Sequence, residues 1–546
     1  MNNRKEKTMA KTTLLSIILF FAVQSFFLRF AIEISNAQGL PNSPESLEDG
    51  GAIKKEQALS ATEPLNEWGN HGSSLGMSLS GTEPGQFRVT NVRTNLAADL
   101  AGMEKGDRLL RIGAIDLETV GKLELSDYLD KLPPNSKIKA VVDREVETED
   151  ASMMERKKLT LELTTDSRAT FDGWVVSERL KKNRVITEHL RSNDQLMRLD
   201  TLQQSILDDV RNSKTPRDAY EAINQRIDEL DVSHTAIIPN WGYMRLVNRA
   251  KGGLGLTMQR QKVDGAIGYF VLDMEPGGPA AKSDLKMGDE VLLVNEIELE
   301  KSARLILAGE EQRHKAFMIS SNEGEIITLT YRRNASGNRS QVQLANDPSL
   351  TANSATRDSF RVITFKDKKF GYLRIWNLMS PQVNQYLKDA LEGQFAACDA
   401  LIVDLRGRGG QISVLLAVEK TLNNCGKPVV AITDRYSRSA KEILASRLKG
   451  TPNIKLVGEK TCGAVTAASF VGLPSGAALM FPVASGQRLS RYTNGVNLEG
   501  RGVEPDEKAT FSLPYLAGVD PLLDAAKKSA EKLATKAAAE KASASK

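Results

Sequence analysis

Hydrophobic positions along this 546-residue chain change period several times, and each change marks an element. "PVVAIT" (Pro428–Thr433) is an apolar, β-branched run of strand length, and after it Ala440, Ile443, Leu444 and Leu448 recur at helical spacing. The serine at this strand-to-helix junction, Ser439, sits where the amides of a first helical turn lack partners and can hold an oxyanion. A serine hydroxyl is a weak nucleophile until a base takes its proton, so the pattern calls for a base elsewhere in the chain. Taken alone, Ser439 reads equally as a helix N-cap. Upstream, Leu and Ile recur at threes and fours through "VITEHLRSNDQLMRLDTLQQSILDDVRN" (Val185–Asn212), and "SKTPRDAYEAINQRIDEL" (Ser213–Leu230) starts a second helix, giving a small helical region over 171–231. From "FGYLRIWNL" (Phe370–Leu378) through "QVNQYLKDALEGQF", "ALIVDLR" and "GRGG" (Gly407–Gly410), strand and helix periods alternate in α/β fashion.

One pattern occurs twice. "LGMSLS…FRVTNVRTNLAADLAGMEKGDRLLRIGAIDL" from Leu75 matches "LGLTMQ…YFVLDMEPGGPAAKSDLKMGDEVLLVNEIEL" from Leu254. Each copy has a Leu-Gly start, a strand, a small-residue helix and a Gly-Asp pair (Gly106-Asp107, Gly288-Asp289) leading into another strand. This order resembles the PDZ domain over about 90 residues. The resemblance implies that an extended peptide adds as a strand and sets its C-terminal carboxylate against Leu75 and Gly76 in the first copy, or Gly253, Leu254, Gly255 and Leu256 in the second. The alternative is a groove that is empty or occupied by the chain itself, a packing module rather than a receptor.

Charge and cysteine usage narrow the classes. The formal charge is +4, but the first 37 residues carry five basic and two acidic side chains, and without them the balance is about +1. Nothing in that balance points to nucleic acid. The same segment has a basic start, the apolar run Leu14–Leu28 and "SNA" ending at Ala37, which reads as an export signal (1–37). That 15-residue run is short for a membrane span of roughly 20, so a retained anchor is the second reading, and membrane contact is expected only in that case. Residues 38–72 read as a linker, and the Ala/Lys-rich end of the chain (516–546) as a flexible tail. The three cysteines allow one bridge at most, Cys398–Cys425, with buried free thiols as the alternative. No Cys/His spacing suits zinc, and the chemistry outlined below calls for no metal or organic cofactor.

Five pieces between Phe370 and Asp506, "GYLRI", "LIVDLRGRGG", "RSAKEILAS", "LVGEKTCG" and "LEGRGVEPD", resemble the core of the carboxyl-terminal processing (tail-specific) serine peptidases in that family's order. The common branch of the family uses a lysine base 25 residues after the serine. Here that position is Ala464, and neither Lys441 nor Lys460 occupies it. The tricorn-type branch instead uses a histidine in a Ser-His pair ahead of the PDZ domain and a glutamate in "E-N-x-G-V-x-P-D". Ser233-His234 and "EGRGVEPD" from Glu499 stand at those places, so the resemblance implies Ser439 as nucleophile, His234 as base, and Ser233 and Glu499 as the groups that orient it. An imidazole accepts a proton near neutral pH, provided its second nitrogen has a partner. The oxyanion hole would come from the amides of Ala440 and of Gly409 or Gly410, with Arg408 standing in a turn where the family is richer in glycine.

The expected architecture is multidomain: PDZ-like domains at 73–167 and 251–346, a helical region at 168–250 ending in Ser-His, and a ClpP/crotonase-like α/β core at 347–515. The expected function is an exported serine endopeptidase acting on protein or peptide substrates with exposed C-termini. Two other classes remain open: an inactive PDZ scaffold on a degenerate core, and a small-molecule carrier resembling retinoid-binding repeats. An aromatic content of 5% ranks the carrier last.

Overall fold

The computed structural model describes residues 72–147, 153–240, 242–243, 252–307 and 316–544. The export signal (1–37) and all but the last residue of the linker (38–72) lie outside the described residues. Among the described residues, no helix is long and apolar enough to cross a membrane.

The C-terminal α/β part is built on a six-stranded sheet. Its order is Arg361–Phe365, Lys368–Arg374, Ala400–Asp404, Val429–Thr433, Ile454–Gly458 and Glu507–Lys508, all parallel except the first pair. The central strands are apolar throughout because both faces are covered. Leu373, Leu401, Val403, Val429, Ala431 and Leu456 pack under the helices Gln382–Glu392, Ile412–Asn423 and Ala440–Leu448. Alternate residues, Phe370, Tyr372, Ile402, Val430 and Ile432, face the other way onto Leu522, Leu523, Ala526, Ala530 and Ala534.

Those last residues correct the flexible-tail expectation for 516–546: Pro521–Ala544 is one helix, and its first half is part of the core. Alanines four residues apart form a smooth stripe that lies flat on the sheet, a pattern composition alone reads as low complexity. Leu522 is fully buried there. Leu522→Ala is expected to cost about 2–5 kcal/mol, read from urea unfolding; a loss below about 1 kcal/mol would show that the helix is not part of the core.

A three-stranded sheet delivers the residues that precede the second repeat. Ala236–Ile238 pairs with Ala478–Ala484, Ala236 opposite Met480, and the latter strand pairs with Ala467–Gly472. This pairing carries Ser233 and His234 to the C-terminal α/β part, across more than 200 residues of chain. The helices behind it, Arg168–Lys181, Arg184–Ser192, Arg198–Arg211 and Pro216–Asp228, share a core with Leu473 and Leu479 of that sheet.

The two repeats form similar sheets with different edges. In the first, Met77–Ser80 is the outermost strand of the order 77–80, 88–92, 108–112, 137–147, 154–164, accompanied by the helix Lys122–Lys131. In the second, the corresponding strand Leu256–Val263 is not at an edge. Ala316–Ile319 pairs with it, Met258 opposite Phe317, and Leu305–Leu307 pairs outside that. Leu305, Leu307, Phe317 and Ile319 are buried in the module's own core, so these two covering strands are part of its packed sheet. The peptide-binding expectation for Gly253, Leu254, Gly255 and Leu256 therefore meets a strand whose outer edge is already paired at Met258 and Gln259, and Leu254 and Leu256 are themselves core side chains.

Candidate active site

Ser439 stands at the N-cap of the Ala440–Leu448 helix with φ 55° and ψ −127°, a left-handed conformation that costs a non-glycine residue about 1–3 kcal/mol. The contacts that hold it there are local. Its N–H donates to the Ala464 carbonyl at 2.8 Å, and its own carbonyl accepts from Ile443 N–H at 3.1 Å. The position where a lysine base was sought thus lies directly against the serine backbone, with a buried methyl as its side chain.

The loop carrying Ala464 is held by a residue the sequence reading did not single out. Glu442, fully buried, accepts from Thr461 Oγ1 at 2.5 Å, Gly463 N–H at 2.6 Å and Ala464 N–H at 2.8 Å. Burial pushes its pKa up to about 7 against these three donors, with the nearby Glu499 charge adding to the rise. Its place three residues after Ser439, on the inward face of the first helical turn, was the available signal.

His234 is buried, has φ 57°, and lines the same cavity as Ser439, a space of about 860 Å³. Its Nδ1 lies 3.1 Å from Ser233 Oγ and 3.2 Å from Thr466 Oγ1, and those two hydroxyls are 2.9 Å apart. Glu499 stands one layer further back: its carboxylate accepts from Ser233 N–H at 3.2 Å, Val465 N–H at 2.8 Å and Thr466 N–H at 3.1 Å. The structure therefore gathers His234, Ser233 and Glu499 and adds Thr466, which touches all three. Thr466 lies two residues beyond Ala464, and nothing in its local pattern distinguishes it from an ordinary strand threonine.

The glycine turn packs directly against Ser439. A side chain at Gly409 would put its Cβ 2.5 Å from Ser439 Cβ and 2.9 Å from Ala440 N, so only glycine fits against the elbow. Leu378 N–H donates to the Gly409 carbonyl at 3.0 Å, and Gln411 N–H donates to the Leu378 carbonyl at 2.8 Å. With the Gly409 carbonyl turned toward Leu378, the planar peptide directs the Gly410 N–H the opposite way. Arg408 is half-buried and lines the cavity. Leu75, Gly76 and Gly253–Leu256 do not line it.

Below the turn runs a buried ionic chain. Arg406 donates to Asp404 (Nε 3.0 Å, Nη2 2.6 Å) and to Asp520 (2.8 Å), and Arg374 pairs with Asp273 of the second repeat through both its terminal nitrogens. Burial alone would raise the Asp404 pKa, but Arg406 and Arg374 hold it well below the usual carboxylate range. Of the two alternative bases, Lys460 is exposed and 3.5 Å from Glu504. Lys441 is fully buried and donates to backbone carbonyls, at 2.6 Å to Arg406 and 3.2 Å to Trp376.

Residues 416–509 match the model of peptidase family S41, and residues 244–306 match the PDZ domain. The chain is 24% identical over 330 residues to a carboxyl-terminal-processing protease of a Picosynechococcus species, covering 54% of this chain and 73% of that one. It is 25% identical over 297 residues to the carboxy-terminal processing protease CtpA of Bacillus subtilis, covering 48% and 58%. Across such relatives the matched stretch spans from 49% to 73% of their length. Among solved structures, the photosystem II D1 C-terminal processing protease aligns at 18% identity and a TM-score of 0.39, over 65% of this chain and 98% of that one.

Proposed function

We propose that this chain, which belongs to peptidase family S41 and carries a PDZ domain, is an exported serine endopeptidase with Ser439 as nucleophile and His234 as base. The observation that carries the reading is the strained Ser439 elbow sharing one cavity with a histidine whose Nδ1 is already engaged by two hydroxyls. Ser439 Oγ attacks the scissile carbonyl carbon while its proton passes to His234 Nε2. The Ala440 and Gly410 amides take the charge that develops on the carbonyl oxygen, which is where fixed dipoles lower the barrier most. Collapse of the tetrahedral adduct breaks the C–N bond, and the imidazolium gives its proton to the leaving amine. Water, deprotonated by the same nitrogen, then hydrolyses the acyl-enzyme. Ser233, Thr466 and Glu499 act through His234, fixing its ring and tautomer.

Peptide capture belongs to the same reading, and we assign it to the first repeat as a second PDZ-like module. Its outermost strand Met77–Ser80 lies beside a helix and can accept an extended segment, with Leu75 and Gly76 at the carboxylate end. The second repeat, its edge closed by its own hairpin, serves as a wall of the cavity, to which Ala316 and Met318 contribute.

The deciding experiment is cleavage of an unstructured protein such as casein by the purified enzyme. Fragment release with a single labelled serine after treatment with a fluorophosphonate is the expected result. A folded protein that binds C-terminal peptides without cutting them would replace this reading with the inactive scaffold.

A further inference from the structure

The first turn of the Ala440–Leu448 helix places two fully buried ionisable residues directly behind the nucleophile, Lys441 and Glu442. Glu442 holds the Ala464 side of the elbow, as described above. Lys441 reaches the opposite side. Its Nζ bridges the carbonyl of Arg406, the last residue before the glycine turn, and the carbonyl of Trp376, in the segment that runs alongside that turn. The other end of the same pair of segments is closed by Leu378, bonded to Gly409 and Gln411, and the base of the turn by Gly407 N–H on Asp434 at 3.3 Å. The turn is therefore held at three points, and Lys441 is the one of the three that ties it to the helix that carries Ser439. Burying a lysine costs several kcal/mol unless it is hydrogen-bonded, so a lysine here demands a use.

Resting on the peptidase reading above, we infer that Lys441 is a positioning residue. It clamps the Arg406 and Trp376 carbonyls so that the glycine-turn amide stays in register with Ser439 and the Ala440 amide. It touches neither substrate nor the reacting atoms. The charged groups that face it are Arg374, Asp404, Asp434 and Asp273. Burial first, then Arg374, pushes its pKa down to about 7, while the three carboxylates oppose the shift. The clamp does not depend on that titration, because a neutral amine keeps two N–H donors, one for each carbonyl.

The consequence is a defect confined to the transition state. In Lys441→Met, which preserves length and removes the donors, kcat on a fluorogenic peptide is expected to fall about 10²-fold with KM changed less than threefold, since a displaced oxyanion donor costs on that order. The affinity of a peptide aldehyde, whose adduct with Ser439 carries the oxyanion, should fall in parallel, while the affinity of the cleaved product peptide stays unchanged. A merely structural lysine would lower thermal stability without producing this split. Lys441→Gln, which keeps an N–H for the Arg406 carbonyl, should recover part of the aldehyde affinity, and it carries the test if Lys441→Met does not fold. Folded variants with kcat within twofold of the unmodified enzyme would overturn the inference. Unmodified protein that neither cleaves peptide nor binds the aldehyde would instead overturn the peptidase reading on which it rests.

Discussion

Ser439→Ala and His234→Ala should each lower kcat by about 10⁴-fold or more, and the double variant should be no slower than the worse of the two. The reason is that the two side chains act on one proton. Without Oγ there is nothing for the imidazole to deprotonate, and without the imidazole the hydroxyl stays protonated at neutral pH. Fold stability should respond differently at the two positions. Ser439 is held in its left-handed conformation by backbone bonds to Ala464 and Ile443, which alanine keeps, so Ser439→Ala leaves the melting temperature nearly unchanged. His234 is buried against the Ser233 and Thr466 hydroxyls, which keep each other at 2.9 Å when it is removed, so the cost of His234→Ala comes mainly from the cavity left by the ring. Full activity in His234→Ala, with Ser439→Ala dead, would remove His234 as base. Thr466→Val makes the finer point: it keeps the packing, loses the hydroxyl beside Nδ1, and should reduce kcat with little effect on KM.

The largest stability effect is expected at Asp404. Its carboxylate is fully buried and accepts from Arg406, from the Arg406 amide at 3.0 Å and from Tyr372 Oη at 2.9 Å, with Arg374 close by. Asp404→Ala removes the central carboxylate of this buried chain, leaving Arg406 with Asp520 and Arg374 with Asp273 as their remaining acidic partners, and should cost about 3–5 kcal/mol. Native-state hydrogen exchange at the amides of Ala400–Asp404 and Val429–Thr433 reads this as lost protection. Replacing Asp404 and Arg406 together by leucine and methionine should recover much of the loss, because the penalty comes from the unpaired charge. A single variant that loses less than about 1 kcal/mol would mean that water or Asp520 already satisfies Arg406.

Local order and composition were enough to place several parts. The apolar runs at Ala400–Asp404 and Val429–Thr433, the helical period after Ser439 and the repeated Leu-Gly and Gly-Asp elements each follow from neighbours in the chain, and periodicity reports those directly. The positions of Ser439, Ser233-His234, Gly409-Gly410 and Glu499 were readable as motifs, though no motif carries a distance. Everything that depended on which surface meets which other surface had to wait for the folded chain. The alanine stripe at 526, 530 and 534 becomes core only because a sheet face lies under it. The second repeat's strand edge is closed because Ala316–Ile319 returns to it, a pairing set by register and not by the sequence of either strand. Thr466, Glu442 and Lys441 gain their roles from partners up to 233 residues away, and a threonine, a glutamate and a lysine carry no local sign of which carbonyl, hydroxyl or ring they will meet. Local propensity is a property of the chain; the pairing of buried polar groups is a property of its packing.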